Sequence, residues 1–398
     1  MSEKREVYVI GAMRSPIASV SFGGFGPDKV SELPNVSSIS SLVPDALATQ
    51  VLNALFKQIS IDPELIDMFV MGSVISQKVE PQMKQAPAKH LIRKILKDRD
   101  PKKYPLARTI EKACSTGLMA VWYGAKKILL GKADIVIAGG VDMMSRQPNS
   151  VILNGLTDPD TQKLMVVLAD EKAQALGFNR ESHDEYAFQS YEWAKSHRDD
   201  YAGFITQIFL PGNEEPVLKY DEEIDKYKIT IERIKRLRPY PNCKIMTILN
   251  SSKYGDAAAF VILASSQALK NLKIKPLARL LAFNAHSESG PEDFIIAPAE
   301  AVSGALSQAN LQPDNIDVYE NNEAFPTSSL NLMQKLQIPR EKVNPWGGAT
   351  AHGHPIGATG TLLLVKLISI LQKENKRYGT VSVCNAISEA TAAVFERL

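Results

Sequence analysis

At 398 residues, 44% hydrophobic and 23% charged, the chain has the balance of an ordinary globular protein with room for two or three compact units. Its net charge of +2, without a long single-sign block, gives no reason to expect a nucleic-acid partner. Three cysteines, odd in number and without paired spacing, argue against a disulfide framework and for a reducing compartment.

No apolar run approaches the roughly 20 residues that span a bilayer, so no membrane span is expected. The first strand candidate, residues 7–12, begins so near Met1 that a leader peptide has no place. The expectation is a cytoplasmic protein, or a mitochondrial one if a longer leader has been removed. That strand ends in Arg14-Ser15-Pro16, and a Gly/Ser/Pro-rich loop follows over 19–34. A helix over 42–58, a turn at Pro63-Glu64 and a strand over 66–74 come next. Cys114 and the small residues Ser115, Thr116 and Gly117 then stand just before an apolar-periodic helix over 118–130. A buried strand over 135–138 closes on Gly139-Gly140. A cysteine at a helix start meets unpaired N–H groups and the positive end of the dipole, which favour a thiolate nucleophile. The competing role is that of a small buried hydrophobe. Residues 143–254 are more polar, carry turn signals at Pro148-Asn149 and Pro211-Gly212-Asn213, and mix charge signs over 214–238. A helix over 180–197, capped by Asn179, is expected there. This region reads as an insertion that folds over a site built by the rest.

A repeat underlies the remainder. ALFKQISIDPELIDMFVMGS from Ala54 recurs as ALSQANLQPDNIDVYENNEA from Ala305, each a helix end, a Pro with an acid, and Ile-Asp opening a strand. The helix over 118–130 and strand over 134–138 correspond to a helix over 359–371 and a strand over 379–383. Two similar halves, each alternating strand and helix, predict a duplicated α/β architecture. In that frame the glycine-rich loop GGATAHGHPIGATG (347–360), with His352 and His354, precedes the second helix as Cys114 precedes the first. Its glycines permit close backbone approaches. Asn322-Glu323-Ala324-Phe325 sits at a strand's carboxyl edge, where open α/β sheets build sites. Cys384 ends the strand that mirrors the one at Gly139. Two cysteines and a histidine are the parts of acyl transfer through a thioester. Zinc is less well supported, since neither CxxC nor HxxxH occurs. A Rossmann fingerprint and a P-loop are both missing.

Cys114, NEAF at 322–325, GHP at 353–355 and Cys384-Asn385, in this order, resemble the thiolase family, and within it the acetyl-CoA acetyltransferases. AGGVDMMS (138–145), NSS…GDAAA (250–259) and PLARLLAF…DFIIAP (276–298) extend the resemblance over essentially the whole chain. It implies a five-layered αβαβα fold: an N-terminal half over 1–143 and 255–275, an inserted loop domain over 144–254, and a C-terminal half over 276–398. It also implies a homodimer or homotetramer, no metal and no cofactor, with coenzyme A thioesters as substrates.

By the same resemblance, His354 takes the proton of Cys114, whose thiolate attacks an acyl-CoA and releases CoA. Cys384 then removes an α-proton from a second acetyl-CoA, and the carbanion captures the acetyl group as acetoacetyl-CoA. One oxyanion pocket would use His354 and a water held by Asn322; the other, backbone N–H groups including those of Cys114 and Ile387. Ser252, Met165 and Phe325 match pantetheine and apolar contacts, and Lys226 a cation near the nucleotide phosphates.

The chain departs from the family where Ala386-Ile387-Ser388-Glu389 replaces a glycine run. At Ile387 a β-branched side chain at positive φ would be an outlier. Further departures are His352 for an apolar residue, Lys253-Tyr254-Gly255 for a Gly-apolar-Asn run, and Pro241 near a usual aromatic, all expected on the CoA side of the pocket. The alternatives are a 3-ketoacyl-CoA thiolase of broader chain length and a weakly active subunit kept for assembly or CoA binding. A ketoacyl synthase and a cysteine hydrolase have less behind them.

Overall fold

The computed structural model describes residues 5–21, 35–75, 86–97, 100, 103–226, 228–386 and 388–398. Most of the predicted loop over 19–34, and Ile387 itself, lie outside the described residues. Ten strands are present among these residues: β1 (Val7–Arg14), β2 (Ala18–Ser19), β3 (Met68–Gly72), β4 (Leu106–Ile110), β5 (Ile135–Met143), β6 (Gly255–Ser265), β7 (Ala278–Ser287), β8 (Val318–Asn321), β9 (Tyr378–Asn385) and β10 (Glu389–Arg397). They pair in the order β4-β3-β5-β6-β1-β7-β10-β9-β8, with β2 beside β6.

The order is the same motif written twice. β3 runs parallel to β5 with Met68 opposite Val136, and β8 runs parallel to β9 with Val318 opposite Gly379. β5 then pairs antiparallel with β6, as β9 does with β10. Among the described residues the two half-sheets meet only where Val7–Val9 of β1 reach Leu280–Ala278 of β7.

Helices complete the layers. α1 (Pro44–Ile59), α2 (Pro87–Ile95) and α3 (Thr116–Leu129) belong to the first half. α4 (Asn149–Gly155), α5 (Met165–Ala175), α6 (Arg180–Ser196), α7 (Glu223–Lys226) and α8 (Ile231–Lys235) lie between β5 and β6. After α9 (Ser266–Leu272), the second half supplies α10 (Ala297–Ala309), α11 (Pro326–Leu336), α12 (Ala349–His352) and α13 (Thr359–Lys373).

The pattern of apolar residues decides which helix goes where. α1 opens on Pro44 with Asp45 in its first turn and buries one face, Leu47, Ala48, Val51, Leu52 and Leu55, as an outer helix must. That face packs on one side of the first half-sheet with Phe69, Ile137 and Phe260. α10 does the same on the second half-sheet through Val302, Ala305 and Leu306 against Tyr319 and Val394. α13 is different: every residue from Thr359 to Leu371 is buried. A helix buried all round has to be central. It shares one core with α3 and with the inward faces of both half-sheets, including Val136, Val261, Val381 and Phe395. The five layers are therefore outer helices, sheet, α3 with α13, sheet, outer helices.

Two elements run differently from the sequence reading. β5 does not close on Gly139-Gly140 but passes through them to Met143. A Cβ on Gly139 would come within 2.1 Å of the Ala259 carbonyl, and one on Gly140 within 2.1 Å of the Gly357 carbonyl. The glycines serve close packing rather than a turn. β4, an edge strand with Leu106 68% exposed, has no apolar alternation to announce it.

Candidate active site

Cys114 lies in a single 3-10 turn, Ala113–Ser115, between β4 and α3, and the turn is entered through a left-handed Ala113 (φ 41°). The second half holds this turn in place. The Ser115 amide donates to Asn385 Oδ1 (2.7 Å), its hydroxyl donates to the Val383 carbonyl (3.2 Å), and Thr391 donates to that hydroxyl (2.8 Å).

The reciprocal tie comes from the first half. Asp142, fully buried at the end of β5, accepts from the Gly357 amide (2.7 Å) and from Ile75 (3.2 Å) and Val74 (3.3 Å). The loop carrying His354 is thus fixed by a carboxylate of the opposite half. The His354 amide also donates to the Lys253 carbonyl (2.7 Å).

His354 Nε2 stands 3.3 Å from Cys114 Sγ, and Nδ1 stands 2.6 Å from Thr359 Oγ1. The Thr359 hydroxyl donates its one proton to the Pro355 carbonyl (2.9 Å). It can therefore only accept from His354, which places the imidazole proton on Nδ1 and leaves the Nε2 lone pair facing the sulfur. Cys384, 1% exposed, has Asn322 Nδ2 at 4.0 Å from its sulfur. Asn322 Oδ1 is buried without a partner among the described residues.

Burial sets the resting charges. It pushes the Cys114 thiol well above the usual thiol range, with the nearby Cys384 adding to the rise, while the backbone N–H groups of Cys114 and Ala386 oppose it. Burial pushes Cys384 up to about 12 against the pull of Asn322. His354 is lowered to about 4 by desolvation. Desolvation thus works against the thiolate expected from the helix start. A helix end offers a partial charge, and a dry site costs an anion more than that partial charge returns.

Met165 and Phe325 share one apolar cluster with Cys384, Ala386 and Phe294, while Cys114 and Tyr254 flank a second with Ile75, Met144 and Ile356. Leu156 packs on both clusters, so the walls beside the two sulfurs are continuous. The Ser252 amide donates to the Ala324 carbonyl (3.0 Å), beside the NEAF segment. Lys226 donates to Ser19 (2.8 Å) and Ser21 (3.1 Å) on the wall of an open cleft of about 790 Å³ that neither cysteine lines. His352 does not reach the sulfurs, as its ring turns to Asp221 and the Trp346 carbonyl. Ser388, not a glycine, takes φ 56° in the altered run. The sequence reading missed Thr359, Asp142, Asn385 and the Ala386 amide. Thr359, Asp142 and Asn385 each sit in a quoted motif, but a positioning role has no signal of its own.

Among the described residues no group of three or more His, Cys, Asp or Glu side chains is placed to hold a metal ion. A base-oriented imidazole on one cysteine, a second cysteine beside it and a duplicated five-layer scaffold define an enzyme of covalent acyl transfer. Residues 7–267 match the thiolase N-terminal domain and residues 274–397 the thiolase C-terminal domain. Acetyl-CoA acetyltransferase IA of Candida tropicalis is 35% identical over 98% of this chain and 97% of its own length. A cytosolic acetyl-CoA acetyltransferase of Gibberella zeae is 30% identical over all of both chains. The crystal structure of the Bacillus anthracis acetyl-CoA acetyltransferase superposes with a TM-score of 0.87 at 27% identity over all of both chains. Human mitochondrial 3-ketoacyl-CoA thiolase in complex with CoA gives 0.86 at 26% identity, over 99% of this chain and 98% of that one. The chain belongs to the thiolase family of acyltransferases.

Proposed function

We propose that the chain is an acetyl-CoA C-acetyltransferase, joining two acetyl-CoA molecules reversibly to acetoacetyl-CoA and CoA. The observation that carries this reading is the 3.3 Å approach of His354 Nε2 to Cys114 Sγ. Neutral His354 accepts the thiol proton as the sulfur attacks the thioester carbonyl. The imidazolium then returns that proton to the departing CoA thiolate, leaving an acetyl group on Cys114. Neutral again, His354 takes the Cys384 thiol proton, and the resulting thiolate removes an α-proton from the second acetyl-CoA, while His354 holds its proton for the Cys114 sulfur expelled in the next step. The carbanion attacks the acetyl carbonyl and expels Cys114.

Each step raises negative charge on a thioester oxygen, and the donors nearest at hand are proposed to bind it. The free acceptor of Asn322 suits a bridging water, and the amides of Cys114 and Ala386 are proposed as donors beside that of Ile387, which lies outside the described residues. Met165, Phe325 and Ser252 are proposed to line the pantetheine path, and Lys226 to meet the nucleotide phosphates. No cofactor is assigned beyond the thioester substrates.

Thiolysis of short and long 3-ketoacyl-CoA substrates tests the reading. Turnover confined to acetoacetyl-CoA supports it, while equal turnover of long chains makes the chain a broad 3-ketoacyl-CoA thiolase. Turnover that survives Cys114→Ala, or no turnover at all, refutes it. A homodimer or homotetramer follows from the resemblance and is checked by light scattering. No described helix is long and apolar enough to cross a membrane. A cytosolic location is proposed from three unpaired cysteines, and fractionation against mitochondrial markers tests it.

A further inference from the structure

The family resemblance leaves His352 without a role, yet both of its ring nitrogens are engaged. It ends α12 and is separated from His354 only by Gly353, whose φ of 103° is open to glycine and strained for other residues. That residue turns the two imidazoles in different directions. His354 faces Cys114. His352 faces the insertion, with Nδ1 2.7 Å from Asp221 Oδ2 and Nε2 2.9 Å from the Trp346 carbonyl. Both partners are acceptor oxygens, so each ring nitrogen faces an acceptor.

Asp221 is the hub of this arrangement. It holds Arg14 of β1 through two bonds (2.7 and 3.0 Å) and accepts from the Ile17 amide (2.7 Å). The Arg14 guanidinium lies 4.3 Å over the Tyr201 ring, which meets His352 edge-on at 6.3 Å. Arg14, Asp221 and His352 are each at least 95% buried. Charge-assisted bonds in such a dry place are strong and hold their geometry. Within the catalytic loop, His352 is the side chain that bonds this hub.

We propose that His352 is a positioning residue: by tying the loop that carries His354 to Asp221 of the insertion, it holds the His354 imidazole against the Cys114 sulfur. It touches no reacting atom. The role rests on the Cys114–His354 acyl-transfer reading, and it makes the insertion a working part of the site.

The two arms of the ring can be separated by substitution. In His352→Asn the amide nitrogen falls near the place of Nδ1 and keeps the Asp221 arm. In His352→Gln it falls near Nε2 and keeps the Trp346 arm, while His352→Leu keeps neither. The rate of Cys114 alkylation by iodoacetamide is read by peptide mass spectrometry, with Cys243 of the same molecule as the internal standard. The kcat and KM of acetoacetyl-CoA thiolysis are measured beside it. The Gln and Leu variants are expected to lose roughly 10- to 100-fold in alkylation rate and in kcat, with KM little changed. The Asn variant is expected to retain most of both. Loss in Asn as deep as in Gln, or wild-type rates in all variants, overturns the proposal. If Leu fails to fold, the near-isosteric Asn and Gln pair still decides. Wild-type Cys114 reacting no faster than Cys243 overturns the nucleophile reading itself, and the role of His352 with it. A fast Cys114 untouched by His352→Gln overturns the positioning role alone.

Discussion

Thr359→Val removes the oxygen that orients the catalytic base while keeping the shape of the side chain. Thr359 is 3% exposed, so water cannot readily take its place. In the native site the His354 Nδ1–H has one acceptor, the Thr359 oxygen at 2.6 Å. The valine variant leaves that donor buried and unpaired, at a cost of about 1–3 kcal/mol. The imidazole escapes the penalty by moving its proton to Nε2 or by turning away from Cys114, and either change removes the lone pair that accepts the thiol proton. At about 1.4 kcal/mol per tenfold, the fraction of molecules with a competent base falls roughly 5- to 160-fold. The assay is a rapid-quench measurement of acetyl transfer from acetyl-CoA to Cys114, with the thermal midpoint recorded alongside. Thr359→Ser keeps the acceptor and should acetylate at close to the native rate. A folded Thr359→Val protein that acetylates Cys114 as fast as the wild type would refute the tautomer argument, and with it the assignment of Nε2 as the base.

Further predictions concern charge and close packing. Lys366 and Glu320 form a 2.7 Å ion pair with both side chains almost fully buried, and Glu320 is raised to about 7 by burial against the pull of Lys366. Lys366→Met should cost about 3–5 kcal/mol in chemical denaturation, and the double variant with Glu320→Gln should recover much of it. Gly360→Ala places a Cβ 2.5 Å from the Leu118 amide nitrogen. It should push α3 and α13 apart and lower kcat roughly 100-fold, with a crystal structure showing the Cys114–His354 distance lengthened. Buried His183 is lowered to about 4 from 6.5 by desolvation. The unfolded chain therefore gains its proton first as pH falls, and stability tied to this group is present above 6.5 and lost on the way down to 4. Relative to His183→Gln, the wild type should lose on the order of 3 kcal/mol between neutral pH and 4. A constant difference between the two across that range would count against the assignment.

The duplicated fold was legible because its signals are local. Pro63–Leu65 and Pro313–Asn315 form the same 3-10 turn, and each is written in the chain as a proline, an acid and Ile-Asp. The helix over 180–197 was legible for the same reason, its Asn179 side chain accepting from Ser182 (2.9 Å) as a cap should. What escaped depends on residues far apart in sequence. The hold of Asp142 on Gly357 spans 215 positions, and no periodicity encodes it. The desolvation of the Cys114 thiol escaped as well, because the helix start is visible in the sequence and the dryness of the surrounding site is not. The turn of His352 toward Asp221 was hidden because the glycine between two histidines reads as flexibility until its φ is known.

Duplication also explains why the reacting groups meet. α3 begins Thr116-Gly117 and α13 begins Thr359-Gly360, the same position in the two halves. A Cβ on Gly117 would meet the Thr361 amide nitrogen at 2.9 Å, and one on Gly360 the Leu118 amide nitrogen at 2.5 Å. Each helix start thus packs its glycine against the first turn of the other, an approach only a pair without side chains allows. Cys114 lies two residues before one start and His354 five before the other, so the contact brings them together at 3.3 Å. Two helices of 14 and 15 residues direct their positive ends at this point. At rest, desolvation opposes that field at the half-buried thiol. During reaction, negative charge passes from sulfur to the thioester oxygen within the same volume, and the field, already oriented, acts on it without reorganising. A site arranged in this way favours the transition state over a standing thiolate, which is the difference a catalyst needs.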